Sequence, residues 1–276
     1  MAFFQVNLFS VTLGMPVDVN VFIPTPNSDE VLNNKDSAYF TQGVRFQVLY
    51  LLHGAYGDQT DWFRLTSIEK YATAHKLAVV MPGAANSFYQ DMFRGGAYLT
   101  FLTQELPDFV EKYFPVSRRR EDNFTAGLSM GGYGALKAAM TRPDRFSACA
   151  SLSGAIDLEE IYRETKDGAI DGPFRWYDIF ANPETIPGSG ADLFAMIEKL
   201  KKEGAQIPRI YQTVGTEDFI YPANRKAKER LEKLGLDYTY EEYPGIHDWD
   251  FWDIHIQDVL RWLKLRDDSI REGGED

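Results

Sequence analysis

The chain reads as an α/β protein, a single domain on a mostly parallel central sheet with helices on both faces and an inserted cap segment. Three observations predict this. From residue 46 onward, short apolar runs alternate with stretches of helical periodicity. Two further strand patterns precede that alternation and are joined by a tight turn. No internal repeat, low-complexity tract or Pro/Ser-rich linker divides the 276 residues, a length that one large α/β domain accommodates.

In order, 5–13 and 17–23 predict two antiparallel strands turned at Gly14, and 46–52 is an apolar run suited to a strand buried on both faces. Residues 62–75 follow helical spacing, and 77–81 form a strand closed by Pro82-Gly83. The stretch 97–113 repeats apolar residues on one helical face (Leu99, Leu102, Leu106, Phe109, Val110). A strand at Asn123–Leu128, a helix at 132–141 ended before Pro143, and a strand at 148–153 follow. Segment 157–200 mixes Gly, Pro and aromatic residues among short helical pieces and breaks the rhythm, so it is expected to lie over the sheet as a cap. Order returns with a strand at 209–214, a helix at 223–234, a strand at 237–243 and a helix at 250–265.

Composition excludes several classes. With 44% hydrophobic and 25% charged residues the chain is neither disordered nor fibrous. Forty-one acidic against 29 basic residues leave a net charge of −12, which repels a phosphate backbone or an anionic bilayer, so neither nucleic acid nor membrane is expected as a partner. The single Cys149 cannot form an internal disulfide and, inside a predicted strand, reads as a small core residue. The N-terminus lacks a positive n-region, and no apolar run approaches the roughly 20 residues of a membrane span. The expectation is a soluble cytoplasmic protein, with homo-oligomer formation left open.

The strongest chemical signal is Gly127-Leu128-Ser129-Met130-Gly131, a Gly-x-Ser-x-Gly motif between a predicted strand and a predicted helix. A serine displayed at so sharp a turn needs strained backbone angles and neighbours without Cβ atoms. The helix that starts there aims its N-terminal dipole at charge developing beside the hydroxyl. Such a serine needs a base, and a base needs an orienting group. His75 ends a predicted surface helix, His255 lies inside the last helix, and His53 precedes the serine. His247, in the loop between the last strand and the last helix, is the favoured base. Asp218 is the favoured acid, just past the strand 209–214, with Glu217 and Asp248 as local alternatives. The backbone amides of Ala55 and Met130 are the expected oxyanion donors, and His53 is expected to shape the loop that carries Ala55.

With those residues in view, the chain resembles the esterase D-like branch of the α/β-hydrolases, the feruloyl, acetyl and tributyrin esterases of carbohydrate esterase family one. The resemblance rests on Leu51-Leu52-His53-Gly54 followed by Asp61-Trp62, on 127–134, on Gly215-Thr216-Glu217-Asp218-Phe219, and on Gly245-Ile246-His247-Asp248-Trp249. It implies an α/β-hydrolase fold, a Ser129, Asp218 and His247 triad, an acyl-enzyme mechanism, and a small ester or esterified carbohydrate as substrate. No cofactor or metal is implied. S-formylglutathione hydrolases are similar too, but the oxyanion loop departs from theirs with His53-Gly54-Ala55-Tyr56 and no nearby Cys. Mycolyltransferases resemble the chain more distantly.

Two other readings stand beside this one. A metallohydrolase using His53, Asp58 and Asp61, or His247, Asp248 and Asp250, lacks a paired-His spacing. A catalytically silent binding module would share the fold without the activity. Tyr56, Trp62 and Trp249 are the expected pocket residues, with Phe88, Tyr89, Trp176 and Tyr177 as further aromatic candidates.

Overall fold

The computed structural model describes residues 1–33, 35–166 and 174–266. Eight strands form one sheet in the order β1-β2-β4-β3-β5-β6-β7-β8. The pair β1 (Ala2–Ser10) and β2 (Met15–Ile23) is antiparallel, and β2 runs antiparallel to β4 (Ala78–Pro82). The strands β3 (Val48–Leu52), β4, β5 (Asn123–Leu128), β6 (Ala148–Leu152), β7 (Arg209–Gly215) and β8 (Tyr238–Tyr243) run parallel, as alternation with helices requires. Every residue of β3, β4, β5 and β6 is buried, because helices cover both faces.

The helices are α1 (Ser28–Leu32), α2 (Asp61–Leu65), α3 (Ile68–Ala74), α4 (Tyr98–Thr100), α5 (Leu106–Tyr113), α6 (Met130–Thr141), α7 (Leu158–Lys166), α8 (Trp176–Phe180), α9 (Leu193–Lys202), α10 (Tyr221–Lys233) and α11 (Trp249–Trp262). Two core layers result. One, between the sheet and α5, α6, α9 and α10, includes Tyr50, Leu106, Tyr133, Leu136 and Ile197. The other packs Leu49, Leu51, Phe124 and Tyr211 against α3 and α11 through Ala72, Ile256 and Val259.

Three expectations are corrected in detail. The first strand ends at Ser10, because the Glu105 carboxylate accepts from Ser10 Oγ at 2.7 Å and from the amides of Val11 and Thr12, gathering 11–14 into the turn. The helix expected over 62–75 is two. Thr66 Oγ1 donates to the Trp62 carbonyl at 2.5 Å and accepts from the Ile68 amide, while the Ser67 amide turns to Asp253. The helix over 97–113 runs through a π-helical segment, Phe101–Glu105, just before Pro107. Proline has no amide to bond the Thr103 carbonyl, which accepts from Arg142 at 3.3 Å instead. Within the segment expected as a cap, residues 167–173 lie outside the described residues; the rest carries α7, α8 and most of α9. No helix among the described residues is long and apolar enough to cross a membrane.

Candidate active site

Strand β5 is buried throughout and passes directly into α6, and the residue between them, Ser129, takes φ 52° and ψ −120°. An L-residue adopts such angles at a cost, and surrounding contacts hold it there. The Ser129 amide donates to the Leu152 carbonyl, and its carbonyl accepts from the Ala155 amide. The flanking glycines are steric necessities. A Cβ on Gly127 would lie 2.3 Å from the Gly131 carbonyl oxygen, and one on Gly131 would lie 2.5 Å from the carbonyl oxygens of Leu52 and His53. Strands β3 and β5 can approach the helix start only if both positions stay bare.

His247 arrives from the loop after β8. Its Nδ1 lies 3.0 and 2.9 Å from the two carboxylate oxygens of Asp218, whose side chain is fully buried. A carboxylate oxygen accepts, so Nδ1 carries the proton and Nε2 is left as a base. Asp218 is itself fixed, since Oδ1 accepts from the Ile220 amide at 3.0 Å. Rings brace the imidazole on two sides: Phe219 at 4.5 Å and Trp252 edge-on at 4.9 Å.

The alternative acids have other work. Glu217 accepts from the Gly245 amide at 2.6 Å while its own amide donates to the Gly245 carbonyl, clamping the loop that carries His247. Asp248 caps α11 by accepting from the Phe251 amide. Of the other histidines, His53 is buried with both ring nitrogens engaged. Nδ1 donates to the Gly54 carbonyl at 2.7 Å, and Nε2 accepts from the Ala84 amide at 3.0 Å. Burial holds its pKa below the ordinary imidazole value. His255 bonds Asp258 inside α11 and stacks on Tyr243, and His75 caps the end of α3. Among the described residues no cluster of three or more His, Cys, Asp or Glu is arranged to hold a metal ion.

Ser129 and His247 face one cavity of about 600 Å³. Ala55 and Met130 line it, and among the described residues neither amide donates a hydrogen bond to the protein. Tyr56 stands exposed at the mouth with φ 65°, its amide donating to Asn86, and Trp249 forms part of the wall. Trp62 does not reach the cavity, a correction to the expectation. It is 1% exposed, its indole N–H donates to the Leu52 carbonyl at 2.9 Å, and it supports Trp249 edge-on from behind. Phe88, Tyr89 and Trp176 are buried too; Phe88 packs between Phe174 and Trp176, and Tyr177 points outward.

Sequence reasoning missed Phe219, Ile220, Ile161, Phe174 and Trp252, which complete an apolar wall. Phe219 and Ile220 directly follow Asp218, so proximity to the acid was an available signal; Ile161 and Phe174 carry no local mark. Among the described residues the lining includes Asp61 and Asp248 and no Lys or Arg. Burial, then the neighbouring charge of Asp58, raises the Asp61 pKa. The described lining is therefore apolar with acidic edges.

Comparisons with known proteins find relatives over most of the chain. The esterase family model matches residues 30–263. An acetyl esterase from Caldicellulosiruptor saccharolyticus is 33% identical over 95% of this chain and 98% of its own. Among solved structures, the Staphylococcus aureus fluorophosphonate-binding serine hydrolase F superposes with a TM-score of 0.84 at 34% identity, covering 96% of this chain and 99% of that one. An S-formylglutathione hydrolase from Staphylococcus aureus superposes with a TM-score of 0.81 at 33% identity, covering 95% and 98%.

Proposed function

The chain belongs to the esterase family, as a serine esterase of its esterase D-like α/β-hydrolase branch, and on that premise we propose that it hydrolyses neutral esters of short acyl chains, acetyl esters above all. The observation that carries the reading is the Asp218–His247 pair beside an apolar cavity that His247 and the strained Ser129 both line, with no Lys or Arg among its described lining residues.

In the proposed reaction, His247 Nε2 takes the proton from Ser129 Oγ as that oxygen attacks the ester carbonyl carbon. Asp218 holds the imidazole by Nδ1 and stabilises the imidazolium that forms. The carbonyl oxygen becomes an oxyanion held by the Ala55 and Met130 amides, with the positive end of the α6 dipole behind the second. His247 returns its proton to the leaving alkoxide, the alcohol departs, and Ser129 keeps the acyl group. Water then attacks with its proton passing to His247, and the carboxylic acid leaves as Ser129 Oγ regains that proton. Each amide donor is worth about 10²- to 10³-fold in rate.

Two competing substrate classes are separable. A glutathione thioester carries carboxylates, and neither Asp61 nor Asp248 favours an anion in this cavity. Feruloyl esters, with plant polysaccharides as the alcohol, would use Trp249, Trp252 and Phe174 as stacking surfaces. The test is kcat/KM for p-nitrophenyl acetate, methyl ferulate and S-formylglutathione on one preparation, since these ratios compare transition-state binding. The acetyl ester is expected to lead. A ferulate-to-acetate ratio near or above one would move the assignment to aromatic acyl groups, and a formylglutathione lead would overturn it. Ser129→Ala should abolish turnover of all three while the protein stays folded; retained activity would remove Ser129 from the mechanism.

A further inference from the structure

The two edges of the sheet are built differently. At one edge, β8 is six residues long and carries Glu241 and Glu242, which bond Tyr211, Tyr221, Tyr240 and Arg225. Charge on an edge strand is the ordinary guard against pairing with another chain. At the other edge, β1 has none of these guards. It runs nine residues, Ala2–Ser10, in unbroken register with β2, without a charged residue, proline or bulge. Among the described residues no main-chain hydrogen bond leaves β1 on the side away from β2. Phe4 is 42% and Phe9 66% exposed.

The order of residues in β1 says what fits there. Read from either end about Val6, the strand Ala-Phe-Phe-Gln-Val-Asn-Leu-Phe-Ser matches itself in kind. An antiparallel copy centred on Val6 sets Phe3 against Phe9, Phe4 against Leu8, Gln5 against Asn7, Ala2 against Ser10 and Val6 against Val6. Directly opposed residues share a face, and aromatic, apolar and amide pairs of this sort are what stabilise neighbouring strands. The exposed Phe9 would close over the partner's Phe3, which already stacks on Phe63 at 4.6 Å. Charge allows the contact. Residues 1–23 hold one charged side chain, Asp18, which accepts from Asn7, in a chain of net charge −12.

We infer that β1 is a docking edge for a second copy of this chain, the two β1 strands pairing antiparallel about a two-fold axis at Val6 and joining two eight-stranded sheets into one. The partner patch is the same patch, as an isologous interface requires. The inference is independent of the proposed reaction, because β1 contributes no residue to the cavity.

The test uses the full chain and reads its mass by light scattering across a wide dilution range. The wild type should have twice the mass of one chain. Gln5→Lys/Asn7→Lys sets lysines against lysines across the axis and should halve that mass; both positions are exposed and away from the site, so esterase activity serves as the check on folding. Gln5→Glu/Asn7→Glu should also be monomeric alone, and mixing the two variants should restore the double mass, which damage to the fold would not do. Val6→Cys should cross-link two copies on oxidation, because opposed residues lie about 4.5 to 5.5 Å apart at Cα, within disulfide reach, and Cys149 is buried. A monomeric wild type, or a dimer that survives the lysine pair and leaves Val6→Cys unlinked, would overturn the inference.

Discussion

Two loops on the same rim of the sheet each carry a histidine, and the two histidines are opposite objects. After β3, His53 is buried with both nitrogens spent on backbone groups, so it cannot exchange a proton without breaking the loop it braces. After β8, His247 spends one nitrogen on a buried carboxylate and is left 16% exposed toward the cavity. The proposed base is therefore distinguished by its unspent nitrogen, not by its distance along the chain from the serine motif.

Exchanging the two residues' fates is the sharpest way to break this contrast. His247→Ala is expected to lower kcat about 10⁴-fold or more with an unchanged melting temperature, the loss typical of a missing base. Next in size, Asp218→Asn should cost about 10³- to 10⁴-fold in kcat with little change in KM, because an amide can favour the wrong imidazole tautomer. If the two substitutions combine additively in log kcat, the pair does not act as a unit.

His53→Ala reverses the pattern. It leaves the Gly54 carbonyl and Ala84 amide without their partner, so stability should fall by about 1 to 3 kcal/mol in a denaturant titration, while kcat falls far less than for His247→Ala. The pH dependence has a definite sign. His53 is harder to protonate folded than unfolded, so the unfolded chain binds the extra proton and the native state loses stability as pH drops below about 6.5. The variant should lack this part of the acid slope.

The smallest effect concerns a buried lysine. Lys137, on α6, donates Nζ to the Gly190 carbonyl, faces Met196 Sδ at 3.1 Å, and has no ion-pair partner among the described residues. Burial lowers its pKa to about 8. The penalty on its charge is in force below that pH and is relieved as pH rises from about 8 toward the ordinary lysine value. Lys137→Met should therefore be more stable than the wild type near neutrality, by about 1 kcal/mol after the lost hydrogen bond is counted, and the gain should shrink on going to pH 10.

What the sequence disclosed follows from where local rules dominate. The strand-turn-helix at Ser129 is legible because the glycines on either side answer to contacts a Cβ would destroy. Asp218 was separable from Glu217 and Asp248 only as a preference, since all three sit at element boundaries where an acid has several partners to choose from. Their division of labour depends on how the loops after β7 and β8 meet at Gly215 and Gly245. Trp62 was misplaced for a related reason: it sits in a helix beside the site, and only the packed structure turns its indole inward to Leu52. Phe88 and Tyr89 both take positive φ, which no propensity for aromatic residues announces.

Helix α6 is buried from Met130 to Met140, so it has no wet side on which to persist alone. Its formation and the closing of the sheet around it are one event. The strained geometry of Ser129 thus belongs to the finished molecule: a chain caught midway has the motif in its sequence but not the displayed hydroxyl, and exposure of the proposed nucleophile is licensed by completion of the core.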